Sequence, residues 1–117
     1  MTDAWVEDYD IQNPAIYDCF PKFLRDSLLG TGDTMENTIH RTTGATAERF
    51  SLQERGYIRP GYFADLTAFS EDELKSATPD QKKSFGIRKV WINGTPVLDG
   101  EALDTEATKT SGRSIAL

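Results

Sequence analysis

Residues 87–98 constrain this chain more than any other stretch. Ile87, Val90, Trp91 and Ile92 form an apolar, β-branched and aromatic run that leads into Asn93-Gly94, and Thr95, Val97 and Leu98 lead out of it. Asn-Gly between two such runs is the preferred type I′ turn, because both central residues must take positive φ. A β-hairpin is therefore predicted here. Asp99-Gly100 offers a second turn just beyond it. Upstream, Tyr57-Ile58-Arg59 meets the breaker Pro60-Gly61, and YFADLTAF follows as a further strand-like run ending in the polar stretch SEDELKSATPDQKKS.

The first half of the chain has a different texture. MTDAWVEDYDIQNPAI is acid-rich, contains no base and shows no apolar period, so it reads as a loop. From Tyr17 to Leu29, Phe20, Phe23, Leu24 and Leu28 recur at three- and four-residue spacing and would share one helical face. Pro21 fits the first turn of that helix, where its missing N–H costs nothing. Gly30-Thr31-Gly32 ends it. A second helix is expected from an Asp33-Thr34 cap through Met35, Ile39 and His40, stopping before Gly44, and ATAERF reads as one more helical turn. Two helices with a short Gly-containing link make a helical hairpin. The last residues, DTEATKTSGRSIAL, are small and polar and are expected to be only partly ordered.

Helices followed by about four or five short strands give an α+β arrangement. The strands are too few to close a barrel or build two full sheets, so at least one sheet edge is left exposed. The expected organisation is residues 1–52 as loop and helices, 53–104 as a partial β-sandwich and 105–117 as a tail, in one compact unit.

Charge and composition narrow the chemistry. With 13 Lys and Arg against 19 Asp and Glu, the formal net charge of −6 disfavours nucleic acid and anionic membrane as partners. Cys19 is the single cysteine, so no intramolecular disulfide can form, and no apolar run approaches the length of a membrane span. A cytoplasmic protein is the expectation. With one His, His40, and one Cys, a self-contained metal site would need mostly carboxylates, so no cofactor is expected within this chain.

Several of these residues together resemble a known family. RTTGATAERFSLQERGYIRPGYFADLTAFSEDELKSAT, with Thr43-Gly44, Arg49-Phe50, Arg55-Gly56, Pro60-Gly61 and Ala64-Asp65-Leu66 in register, is similar to the C-terminal part of metal-dependent amidohydrolases. Within them it is similar to the N-acyl-D-amino-acid deacylases, or D-aminoacylases. GIRKVWINGTPVLDG, Gly112-Arg113 and the upstream NPAIYDCFPKFL match the same family's pattern.

The resemblance implies a role for each part. The helices of residues 17–50 would be the last ones on a (β/α)₈ barrel that carries metal and catalytic groups at its strand ends. Residues 57–103 would be the later half of a composite β-sandwich. It also implies amide C–N hydrolysis, with zinc in a complete family member and its His and Cys ligands lying before residue 1. Asp3, in Thr2-Asp3-Ala4 ahead of Asn13-Pro14-Ala15, falls where the family carries its catalytic acid/base; the other reading is an acid in a solvated arm. Tyr17, at the family's aromatic position, is a candidate for lining the substrate pocket, against ordinary aromatic packing. The family's His-Pro-Arg appears here as Asn13-Pro14-Ala15, and an Arg in the place of Ala15 would suit a bidentate hold on the substrate's carboxylate. Asp65 reads as an acid that binds backbone or a turn, His40 as a surface or capping residue, and Cys19 as a small core residue.

Three functional readings follow. The chain is a C-terminal fragment or domain of such a hydrolase, inactive alone; or a non-enzymatic interaction module using its open β edge; or the small chain of a split hydrolase. A homo-oligomer is expected, because the open sheet edge and the uncovered helix side leave an apolar patch, or, for a split hydrolase, a complementing barrel chain.

Overall fold

The computed structural model describes residues 15–78 and 85–115. Its elements are α1 (Ala15–Leu28), α2 (Met35–Thr42), α3 (Gly44–Arg49), β1 (Leu66–Phe69), α4 (Glu71–Ser76), β2 (Ile87–Ile92), β3 (Thr95–Asp99), β4 (Ala102–Leu103) and α5 (Thr105–Ser111). The class is α+β, with a four-stranded sheet in the order β1-β2-β3-β4 and every neighbouring pair antiparallel. Among the described residues, both outer strands, β1 and β4, are therefore edges.

The hairpin forms as predicted. Asn93 and Gly94 have φ of 50° and 80°, the left-handed pair that a type I′ turn demands. Trp91 of β2 faces Pro96 of β3 beside an irregularity between Val90 and Trp91. Proline cannot donate to a ladder, and a bulge is where a strand tolerates it. Gly100, at φ 62°, turns β3 into β4, where Asp99 faces Ala102.

α1 starts at Ala15, earlier than its periodicity suggests, so Pro21 lies inside the helix and not in its first turn. Pro21 has no N–H for the carbonyl four residues back, a local cost, yet its side chain is buried. Tertiary contact outweighs the missing bond. The loop assigned to residues 1–16 is likewise corrected at its last two positions, which are helical. α2 begins where expected: the Thr34 hydroxyl accepts the Asn37 N–H at 3.3 Å, and Asp33 Oδ1 accepts from Thr34 N and Asn37 Nδ2 at 2.8 and 3.1 Å. These bonds hold the Asp33 carboxyl below its ordinary pKa, the Asn37 amide contributing most and the Thr34 N–H next. Ser27 of α1 and Thr38 of α2 share a hydroxyl hydrogen bond of 2.6 Å that ties the two helices together.

Two polar stretches fold more than their composition suggests. Within SEDELKSATPDQKKS, Ser70 caps α4 by accepting the Glu73 N–H at 3.4 Å. Leu74 is then carried to full burial. The final segment is also helical: Asp104 Oδ1 accepts the Glu106 and Ala107 N–H groups at 3.1 and 2.9 Å and starts α5. The expected partly ordered tail is thus replaced by a capped helix over Thr105–Ser111. Conversely, YFADLTAF pairs only from Leu66 onward, because Phe63 N donates to Glu54 O at 3.0 Å and Ala64 O accepts Gly94 N at 2.9 Å. Those backbone groups are committed to loops before the ladder begins.

The apolar core is Leu74, Ala77 and Phe85, with Leu24 and Leu28 of α1 and Phe69 of β1 packed on it. It lies between α1, α4 and the entry to β2. Among the described residues, no helix is long and apolar enough to cross a membrane.

Candidate functional site

Asp3 lies outside the described residues. Tyr17 stands in the first turn of α1 and is half-buried. His40, in the last turn of α2, is exposed, with its ring centroid 6.4 Å from that of Tyr57. Its carbonyl accepts the Thr43 N–H at 3.3 Å. Cys19 is a half-buried free thiol. Among the described residues, no three His, Cys, Asp or Glu side chains come together in a way that could hold a metal ion.

What the fold does bring together is a polar clamp at the exit of β2. Asp65 Oδ1 accepts the Asn93 N–H at 2.8 Å, while Oδ2 pairs with the Arg55 guanidinium. The same guanidinium lies 4.5 Å from the Phe63 ring centroid and reaches Asn93 Oδ1 in a long contact of 3.5 Å. Asn93 Nδ2 in turn donates to Ser111 O, at the end of α5, at 2.6 Å. One acid therefore fixes the backbone of the turn, one base neutralises that acid, and one amide fastens the last helix. Asp65 binds a turn, as its position in the sequence suggests. Both its oxygens are engaged, so it is poorly suited to exchange a proton with a substrate.

A second junction joins α3 to the 55–62 loop. A Cβ on Gly44 would sit 2.5 Å from the Tyr57 ring, and one on Gly56 would sit 2.6 Å from the Ala47 Cβ. Only glycine allows these approaches. Gly56 also has φ 83°, a region costly for other residues. Tyr57 donates its hydroxyl to Glu48 Oε1 at 2.5 Å, and this bond to a carboxylate is the main cause that raises the tyrosine pKa above its ordinary value of 10.0. Arg59 lies 4.5 and 5.7 Å from the ring centroids of Tyr57 and Tyr62. Beside them runs an open groove of about 360 Å³ lined by Glu48, Glu54, Arg55, Tyr57, Arg59 and Tyr62, among others.

The contacts of Arg59 are not among the sequence expectations, although the YIRPGY spacing carries a signal for them by putting a base between two tyrosines around a Pro-Gly turn. Arg55 is visible only through the family resemblance, since nothing local links it to an acid ten residues on.

Residues 2–98 match the amidohydrolase family, and the chain belongs to it. Among curated relatives, an N-acyl-D-aspartate deacylase of Alcaligenes xylosoxydans xylosoxydans is 42% identical over 77 residues, spanning 62% of this chain and 15% of that protein. A D-aminoacylase of the same organism is 32% identical over 94 residues, spanning 77% of this chain and 19% of that protein. A crystal structure of D-aminoacylase, described as defining a novel subset of amidohydrolases, superposes with a TM-score of 0.68 at 33% identity, covering 82% of this chain and 20% of that one. A further D-aminoacylase structure, determined in work on that enzyme's binuclear metal centre, gives a TM-score of 0.66 with the same coverage. The chain thus spans a fifth or less of the length of these proteins. The described residues do not supply the ligand cluster that a binuclear centre requires.

Proposed function

We propose that this chain is the C-terminal part of an N-acyl-D-amino-acid deacylase, working in amide hydrolysis only together with the rest of such an enzyme. The observation that carries this reading is the joint likeness of sequence and fold to D-aminoacylase, 33% identity with a TM-score of 0.68, over a small fraction of that enzyme's length. In this reading α1, α2 and α3 close a (β/α)₈ barrel and the β1-β2-β3-β4 sheet is the later half of a β-sandwich. Zinc and its ligands belong to the remainder of the barrel.

The chain's own contribution to chemistry is Asp3. As general base it takes a proton from the attacking water, and as general acid it returns one to the leaving amine nitrogen. Tyr17 lines the pocket through its ring. The required partner is a complementing barrel chain or a second copy. Support comes from the outer side of α1, where Phe20 and Phe23 are 48% and 50% exposed, and from the two sheet edges that have no further strand among the described residues. The same surfaces favour the second reading, a non-enzymatic module that binds another protein.

The test is complementation. The chain alone, with zinc, should show no turnover of N-acyl-D-amino acids. Co-expressed with a D-aminoacylase polypeptide lacking the matching segment, it should restore turnover. Asp3→Ala in the restored enzyme should lower kcat by about 10²–10⁴-fold, and Tyr17→Ala should act mainly on KM. Binding of the barrel polypeptide without any restored turnover would favour the interaction module, and turnover by the chain alone would overturn the dependence on a partner.

A further inference from the structure

The turn that organises the sheet is also an Asn-Gly peptide unit, which is open to a reaction with itself. In an Asn-Gly pair the glycine nitrogen can attack the asparagine side-chain carbonyl carbon, because no Cβ on the glycine obstructs the approach. Here three contacts oppose that attack. Gly94 N–H is held by Ala64 O at 2.9 Å. Asn93 Nδ2 is held by Ser111 O at 2.6 Å, and Asn93 N by Asp65 Oδ1 at 2.8 Å. The side chain is thus drawn toward α5, and the nucleophilic nitrogen is occupied elsewhere.

We propose that Asn93-Gly94 is a self-modifying deamidation site restrained by these three contacts, of which the α5 contact at Ser111 O is the one that holds the reacting side chain, so that undocking of α5 frees that side chain and speeds the reaction. The step needs only water and a base from solvent. Gly94 N loses its proton to that base and bonds to Asn93 Cγ, while the Cγ–Nδ2 bond breaks and Nδ2 leaves as ammonia after taking a proton. Water then opens the resulting succinimide at either carbonyl, giving aspartate or isoaspartate with no change of oxidation state.

The product cannot restore the old contact. A carboxylate has no donor for Ser111 O and sets acceptor against acceptor, and it competes with Asp65 for the single Arg55 guanidinium. The isoaspartate form also lengthens the main chain within the turn. Modification is therefore a one-way latch that releases α5, and local opening is the step that controls it.

Peptide mapping by mass spectrometry, following replacement of NH₂ by OH at residue 93 at mildly alkaline pH, tests this on the full chain. Three samples are compared: the native chain, the chain unfolded in urea, and Asp104→Ala, which removes the α5 cap. The native chain should react much more slowly than the unfolded one. Asp104→Ala should react several-fold faster than the native chain, by about the fivefold that loss of an N-cap adds to the undocked population. Equal rates for native and unfolded chains, or for native chain and a still-folded Asp104→Ala, would overturn the proposal. Asn93→Asp provides a separate arm that needs no reaction: amide hydrogen exchange should quicken across residues 105–111 and stay unchanged in α1. Unchanged exchange in 105–111 would refute the latch.

Discussion

The two ends of β2 are held by opposite means. At its entry, Leu74, Ala77 and Phe85 make a dry cluster closed by Leu24, Leu28 and Phe69. At its exit, Arg55, Asp65, Asn93 and the Ser111 carbonyl make a clamp of ion pair and hydrogen bonds. The apolar end gains free energy from each atom removed from water and accepts any sequence of suitable volume. The polar end gains less per group but accepts only one arrangement, since each donor has one matching acceptor. Arg55, Asp65 and Asn93-Gly94 all lie in stretches that resemble the amidohydrolase family, and in the fold their contacts fasten a turn and a helix.

The largest effect should come from the apolar end. Leu74→Ala removes the one large side chain that is fully buried among the described residues and should cost about 2–5 kcal/mol in urea unfolding. A loss well below that range would mean that the cluster collapses around the gap and is less rigid than the clamp. Next comes Asp65→Ala. It strands an Arg55 side chain that is only 17% exposed and leaves the Asn93 N–H without its acceptor, for an expected loss of about 1.5–3 kcal/mol. Asp65→Asn, which keeps an acceptor for Asn93, should recover part of it. If both variants cost the same, the ion pair and not the turn contact dominates.

Ser70→Ala probes the apolar end through the α4 cap that carries Leu74. It should cost about 1 kcal/mol, read as a lower urea midpoint with unchanged slope. The smallest effect at neutral pH belongs to Tyr57→Phe. The Glu48 carboxylate holds the Tyr57 hydroxyl above its ordinary pKa of 10.0, so the folded chain keeps that proton more tightly than the unfolded chain does. This contribution is fully present below pH 10 and is lost as pH rises through the folded value. Tyr57→Phe should remove the corresponding alkaline fall in thermal midpoint, and an identical alkaline profile in both proteins would refute the assignment.

Much of this fold is legible in local sequence. The Asn93-Gly94 turn, the Thr34 cap of α2 and the Asp99-Gly100 turn are set by residues whose φ or side-chain oxygen decides the matter within four positions. Pro21 misleads for a related reason: local rules put proline at a helix start, and only burial keeps it mid-helix. α4 and α5 are hidden because their composition is polar. Their caps at Ser70 and Asp104 are visible in the sequence, yet a short capped segment stays helical only with a surface to dock on. For α4 that surface includes Leu24 and Leu28 of α1. Of the candidate site, the turn-binding role of Asp65 could be read from its place in a strand-like run, but its partners could not.

By itself, then, the sequence determined the class, the hairpin, the register-setting turns and the family, since each depends on residues close together or on a pattern in fixed order. Only the tertiary structure decided that Arg55 pairs with Asp65, that Asn93 reaches Ser111, and that Gly44 and Gly56 admit Tyr57 and Ala47. These contacts join segments separated by nine or more residues. Their energy exists only once the chain has closed the loops between them, and no local propensity encodes that closure.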